Sequence, residues 1–409
     1  MRFEHAVLDN GLTVIGEQNP SALSMAAGYF VRTGARDESR EVSGVSHFLE
    51  HMLFKGSDRR SADDVNREFD EIGADYNAFT GEEYTVYYGA VLPEYQGRLV
   101  DLLTDMMRPT LRDEDFDMEK NVILEEIEMY KDRPQFTVID EARATHYKDH
   151  PLGQSVLGTT ESIKALQRFQ MLEYWQRRYA PNNLILALAG DFDWNETLAH
   201  VRRLTRDWTP ADSPRSMPPF QPNPAVKLVP NEKVHRAHLA FVAPGVPGQS
   251  DVRFVADILS DIVGGGDGSR LYWELIEPGL ADSVRLSHDE EDGFGAFFGY
   301  ASCDLDKAQM VLDKIRGVLR TVTDEGCRDD EIERAKRKAA SSLVLHDETP
   351  RGRLFHLGFD WQYRREHRPL DEVIDQYLAV TPADMRAFLD RRPFDALTVV
   401  GLGPLAGLS

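Results

Sequence analysis

Apolar and polar residues alternate along several short stretches of the chain and recur at helical spacing along others. LTVIGEQ (12–18) and YTVYYGAVL (84–92) read as strands, whose side chains take opposite faces in turn. YFVRTG (29–34), NLILALAGDF (183–192), AFVAPG (240–245) and ALTVVGLGPL (396–405) are apolar runs of strand length, each with a glycine at or near its end. SADDVNREFDEIG (61–73) has helical spacing, with Ser61 placed to cap its start and Gly73 to stop it. RDDEIERAKRKAASSLVLH (328–346) predicts a longer helix. The order of the two kinds is irregular. This predicts the α+β class, with helices covering one face of a mostly antiparallel sheet.

The same pattern occurs twice. Gly34 and Gly245 end similar strands, as do Gly190 and Gly401, and both pairs are 211 residues apart (245 − 34 and 401 − 190). Between the copies, WTPADSPRSMPPFQPNPAV (208–226) carries six prolines and no periodicity, as a linker does. The expected organisation is an N-terminal domain over 1–207, a linker over 208–226 and a homologous C-terminal domain over 227–409.

Charge narrows the function classes. With 47 Lys and Arg against 69 Asp and Glu, the net charge is −22, which opposes binding to a nucleic-acid backbone. The basic, aromatic stretch FDWQYRREHRP (359–369) is expected to be a solvated helix end and loop. No apolar run is long enough for a membrane span, and the first residues read as a strand with no secretory signal. Two cysteines, Cys303 and Cys327, without CxxC spacing suit a reducing cytoplasm.

The chemistry concentrates in GVSHFLEHMLFKGS (44–57). At about 100° per residue, Glu50 falls at about 300° from His47 and His51 at about 40°, so the three share one side of a helix. Two imidazoles at i and i+4 can ligate one ion, and the carboxylate between them can hold a water against it, the mirror order of HExxH. The alternative is a histidine pair satisfied by backbone carbonyls. A catalytic zinc wants a third protein ligand. DMEKNVILEEIEMYKD (117–132) offers Glu126 at the centre of an apolar stripe with Val122, Ile123, Met129 and Tyr130, and Glu119 lies on the same stripe. Glu126 as ligand and Glu119 as the carboxylate orienting a histidine would justify both; two carboxylates each meeting an arginine is the other reading.

HFLEHMLFKGS followed by EKNVILEE, with 75 residues from His51 to Glu126 (126 − 51), resembles the pitrilysin-type zinc peptidases, an inverzincin family. YNAFTGEEYTVYY (76–88), HPLGQSVLGTTESI (150–163) and YAPNNLILALAGDFD (179–193) carry the resemblance further; GGGDGSRLY (264–272) is a weaker sign, a turn into a helix without the GK[ST] ending of a phosphate loop. The resemblance implies two homologous α+β domains, the second without the metal motif, and a zinc endopeptidase acting on peptides or unfolded segments. It implies one zinc held by His47, His51 and Glu126, Glu50 as general base, and Glu119 as an additional catalytic glutamate. Asn77, Ala78 and Phe79 would match the strand edge along which peptide substrates lie. Members of the family usually present an arginine and a tyrosine from LIEPGLADSV (275–284); here Asp282 stands at the tyrosine's place and Ile276 or Glu277 where a basic residue is looked for, while Arg270 and Tyr272 read as a helix start. A homodimer, or a heterodimer whose partner brings that pair, is therefore one expectation. A non-catalytic or half-site subunit is the rival to the peptidase, and a zinc hydrolase of non-peptide substrates is compatible with the same ligands.

Overall fold

The runs that read as unbroken apolar segments become central strands covered on both faces. The structure, a computed structural model, describes residues 1–409. Its strands are β1 (Arg2–Val7), β2 (Thr13–Gln18), β3 (Met25–Val31), β4 (Asp75–Thr80), β5 (Thr85–Val91), β6 (Leu184–Gly190), β7 (Ala225–Val229), β8 (Ala237–Pro244), β9 (Ser283–Glu290), β10 (Gly295–Cys303) and β11 (Thr398–Leu402). They form a six-stranded sheet in the order β1-β2-β6-β3-β5-β4 and a five-stranded sheet in the order β7-β11-β8-β10-β9. Each sheet has one parallel pair, β2 with β6 and β7 with β11, and is otherwise antiparallel. The five strands of the second sheet repeat the order of the last five in the first. The class is α+β with a duplicated domain.

The helices of the first half are α1 (Val45–Leu53), α2 (Ala62–Glu71), α3 (Gln96–Met106), α4 (Asp113–Lys131), α5 (Pro134–Tyr147), α6 (Thr160–Ala165), α7 (Arg168–Arg178) and α8 (Trp194–Leu204). Those of the second half are α9 (Arg253–Gly264), α10 (Ala308–Glu325), α11 (Asp329–Asp347), α12 (Pro350–Arg364), α13 (Leu370–Ala379) and α14 (Pro382–Leu389). Ser61 caps α2 through the Asp64 N–H, as its position predicts.

The chain forms two units, 1–128 with 154–216 and 345–367, and 129–153 with 217–344 and 368–409. The linear division expected at 208–226 therefore does not describe them: each unit takes a segment from the other half of the sequence. The pleat supplies the reason. In β3, Met25, Ala27, Tyr29 and Val31 face one apolar layer and Ala26 and Phe30 the opposite one. The first layer is filled by α1, α2, α3, α4 and α7, and the second by Leu354, Leu357 and Trp361 of α12. Gly358 is what lets α12 lie so close, since a Cβ there would stand 2.2 Å from Phe30 Cζ. In the other unit, Val138 and Ala142 of α5 cover the second face of β8 and β11 in the same manner. A strand apolar on both faces needs two covering layers, and the second is brought from the other half.

The stretch 359–369, expected as a solvated helix end, is largely buried in its first part. Asp360, Trp361 and Gln362 are buried in α12, and His367 reaches Glu17 at 2.9 Å. Asp360 and Arg364 pair within the helix, Arg365 and Glu366 are exposed at its end, and His367 is the side chain that crosses to β2, a contact local composition does not reveal. No helix is long and apolar enough to cross a membrane.

Candidate metal centre

α1 forms because Val45, Phe48, Leu49, Met52 and Leu53 recur at helical spacing and all are buried. Phe48 stacks on Phe116 of α4, with ring centroids 4.8 Å apart and planes at 16°. That contact sets the polar side of α1 against α4. His47 and His51 lie edge to face at 4.8 Å between centroids. Glu126 Oε2 sits 3.7 Å from His47 Nε2 and 3.6 Å from His51 Nε2. These distances are too long for hydrogen bonds and near the roughly 3–3.5 Å that separates two ligands of one tetrahedral zinc.

Buried polar atoms normally have partners. Glu126 Oε2 has none, although it is buried and faces both imidazoles. Ligand atoms of His47, His51 and Glu126 all lie within 4.8 Å of one another. Two imidazoles and a carboxylate suit a divalent cation such as zinc. The donor set and the orphaned oxygen both fit such an ion.

The surrounding groups are held in order. Glu119 Oε1 is 2.9 Å from His51 Nδ1, and its Oε2 is 2.5 Å from Lys55 Nζ. His51 thus turns Nε2, not Nδ1, toward Glu126. Glu50 Oε2 accepts the Thr80 hydroxyl at 2.6 Å. Burial, with the neighbouring His51, depresses His47 to about 3, so its imidazole is neutral and free to ligate. Burial raises the carboxyls of Glu50 and Glu126. Burial acts the same way on Glu119, but the hydrogen bonds from His51 and Lys55 outweigh it and keep that carboxylate ionised.

All five residues of the predicted cluster come together, with one correction. Val122 and Met129, expected on the buried stripe of α4, are 43% and 44% exposed. The face that packs is Phe116, Glu119, Ile123 and Ile127, so Glu126 is at the border of the buried face and not its centre. A border position lets its carboxylate reach across to α1 without being sealed in the apolar layer. Asn77, Ala78 and Phe79 lie on β4, the open edge of the first sheet. Ala78 faces the α1 layer, whereas Phe79 packs on the other face against Phe355, ring centroids 5.7 Å apart. Thr80 and Lys55 escaped the sequence reading. Lys55 carries a weak signal, four residues beyond His51; Thr80 carries only its place after the NAF triplet.

The second unit shows the same design without the ligands. α9 follows β8 and precedes the edge strand β9, as α1 stands between β3 and β4. Asp257 of α9 meets His288 of β9 at 2.8 Å and also accepts the Tyr377 hydroxyl. At the 211-residue offset of the repeat, His47 and His51 correspond to Ile258 and Ile262 of α9 (47 + 211 and 51 + 211), both buried. Nearby, Arg270 is committed to Glu331 at 2.7 Å and to the Gly326 carbonyl, and Asp282 pairs with Arg236.

Residues 13–160 match the insulinase (peptidase family M16) profile and residues 165–339 the M16 inactive domain. The chain is 34% identical to an uncharacterized zinc protease of Streptomyces coelicolor, over 96% of this chain and 88% of that one. It is 31% identical to one of Bacillus subtilis, over 91% of each. Among solved structures, a protease from Helicobacter pylori superposes with a TM-score of 0.91 at 19% identity, over 98% of this chain and 99% of that one. A putative M16-like peptidase from Alicyclobacillus acidocaldarius gives 0.87 at 23%, over 98% of each.

Proposed function

Because the chain belongs to the insulinase family of M16 peptidases, we propose that it is a zinc-dependent endopeptidase cutting peptides or unfolded polypeptide segments. The observation that carries the reading is the buried Glu126 Oε2 with no partner of its own, 3.7 and 3.6 Å from two imidazole nitrogens. His47, His51 and Glu126 would hold the zinc, and Glu119 would fix the His51 ring. Zinc bound there supplies Lewis acidity, polarising a carbonyl and making water a better acid.

The chain's own groups account for the rest. Glu50 takes the proton of the attacking water and returns it to the leaving amine; burial raises its carboxyl and so strengthens it as a base. The Thr80 hydroxyl aims that carboxylate and ties it to the end of β4. Asn77, Ala78 and Phe79 on the free edge of β4 would receive an extended peptide by main-chain hydrogen bonds, with little demand on its sequence. Cys303 and Cys327 are free thiols, consistent with work in a reducing cytoplasm.

Elemental analysis and a fluorogenic peptide assay test the assignment. Glu50→Gln is expected to keep stoichiometric zinc and lose cleavage by about 10²-fold or more, and His51→Ala to lose both. Near-normal cleavage by Glu50→Gln, or stoichiometric zinc in His51→Ala, would refute it. A second reading, a half-site subunit completed by a homologous partner, is favoured by Arg270 and Asp282 being occupied with Glu331 and Arg236. Peptide cleavage by a sample that native mass measurement shows to contain this chain alone would exclude it.

A further inference from the structure

Three consecutive ionisable side chains, Arg36, Asp37 and Glu38, lie buried between β3 and α1 at 3%, 9% and 6% exposure. Burying charge is costly unless it is paired or hydrogen-bonded, and each of the three is engaged with a different element. Glu38 faces the start of α1: its Oε2 accepts the Gly44 N–H at 2.6 Å and its Oε1 the Ser46 N–H at 2.7 Å. Arg36 turns to Glu83, in the turn between β4 and β5, and its main-chain N–H donates to the Glu82 carbonyl at 2.8 Å. Asp37 holds Arg215 at 2.8 Å and Arg178 of α7 at 3.4 Å.

The task of Glu38 follows from Gly44. A helix is ordinarily capped by Ser, Thr, Asp or Asn at this position. A Cβ on Gly44 would stand 2.6 Å from the Leu157 carbonyl oxygen and 2.8 Å from Ile163 Cδ1, at a φ of +91°. Packing therefore denies α1 a capping side chain of its own, and it has none. The Glu38 carboxyl, six residues upstream of Gly44, supplies the acceptors instead. At the other end of the strut, the β4–β5 turn held by Arg36 closes the hairpin whose Thr80 grips Glu50. One short segment thus touches both the helix bearing the candidate ligands and the strand beside it.

We propose that Arg36, Asp37 and Glu38 are positioning residues: Glu38 sets the pose of α1, Arg36 that of the β4 edge, and Asp37 anchors the pair to α7. The α1 part rests on metal binding alone, and the β4 part on the peptidase reading given above.

The test uses the full chain loaded with Co(II), whose visible absorption reports coordination geometry, together with zinc titration and peptide kinetics. Glu38→Gln keeps the shape but offers an amide to the N–H groups in place of one acceptor. Its cobalt spectrum is expected to shift and its zinc affinity to fall roughly tenfold, the size of one lost cap. Glu38→Asp, with both carboxyl acceptors restored on a shorter arm, is expected to recover part of both. Arg36→Lys is expected to keep the wild-type spectrum and zinc affinity while raising KM, or the peptide Kd where nothing is cut, several-fold. A wild-type spectrum and affinity in Glu38→Gln overturns the proposal. So does Arg36→Lys disturbing the metal as much as the peptide, since that is general loosening. Should either variant fail to fold, amide exchange in the wild-type chain decides: Gly44 and Ser46 should exchange as slowly as β3, and fast exchange overturns the cap. A wild-type chain that shows the Glu38-dependent spectrum yet cuts no peptide sinks the peptidase reading and leaves the strut standing.

Discussion

At Glu119 one carboxylate serves two partners, with the His51 ring on one oxygen and the Lys55 ammonium on the other. The pairing decides which imidazole nitrogen remains for a metal, and it explains how a buried acid stays charged on an apolar face. Glu119→Gln is therefore expected to weaken zinc affinity about 10–100-fold while leaving the three ligands in place, measured by competition with a chelating dye. At this scale the sequence was informative where the helix period fixes neighbours. His47, Glu50 and His51 share a side of α1 by spacing alone. Glu126 stood out as a carboxylate among apolar residues, yet the face it borders was misjudged, because Val122 and Met129 are apolar without being covered. Thr80 was illegible. Its partner lies 30 residues away, and only the folded hairpin brings the two together.

At the scale of elements, α12 shows how one helix is held on the second face of a sheet. Arg353 bridges Glu17 at 2.6 Å and Asp347 at 3.0 Å, and His356 sits between Asp347 at 2.7 Å and Asp360 at 3.2 Å. Burial works against the charged form of His356, but the Asp347 and Asp360 hydrogen bonds raise it from 6.5 to about 9. Asp347 is likewise opposed by burial, yet the His356 hydrogen bond lowers it from 3.8 to about 2. The raised histidine stabilises fully below pH 6.5 and loses that contribution as pH rises through about 9. The depressed acid stabilises above pH 3.8 and loses its share as pH falls toward 2. Melting temperature is expected to be highest between these limits, and His356→Gln to flatten its alkaline decline. Gly358→Ala, whose new Cβ would meet Phe30 Cζ at 2.2 Å, is expected to cost about 1–3 kcal/mol in a denaturant titration. The period of α2 and α11 was readable, and so was the alternation of the strands. That the residues after 359 would be held and not solvated was not, because Gln362 and Tyr363 find Glu83 and His367 finds Glu17, on other elements.

At the scale of the whole molecule, metal and fold should be linked. A ligand bound only by the folded chain stabilises it by about 2.7 kcal/mol at a hundredfold excess over Kd. Zinc is expected to raise the melting temperature, EDTA to reverse the rise, and His51→Ala to abolish both, as scanning calorimetry would show. The duplication follows from glycines repeated at one offset, and the helical cluster of two histidines and a glutamate from the 3.6-residue period, which a single stretch of chain can express. Tertiary structure alone decided which units those pieces build: 345–367 joins the first and 129–153 the second, because central strands apolar on both faces need a second cover. It also decided which acids are caps, anchors or candidate ligands, since a carboxylate's role is set by what it meets, and those encounters join residues far apart in sequence.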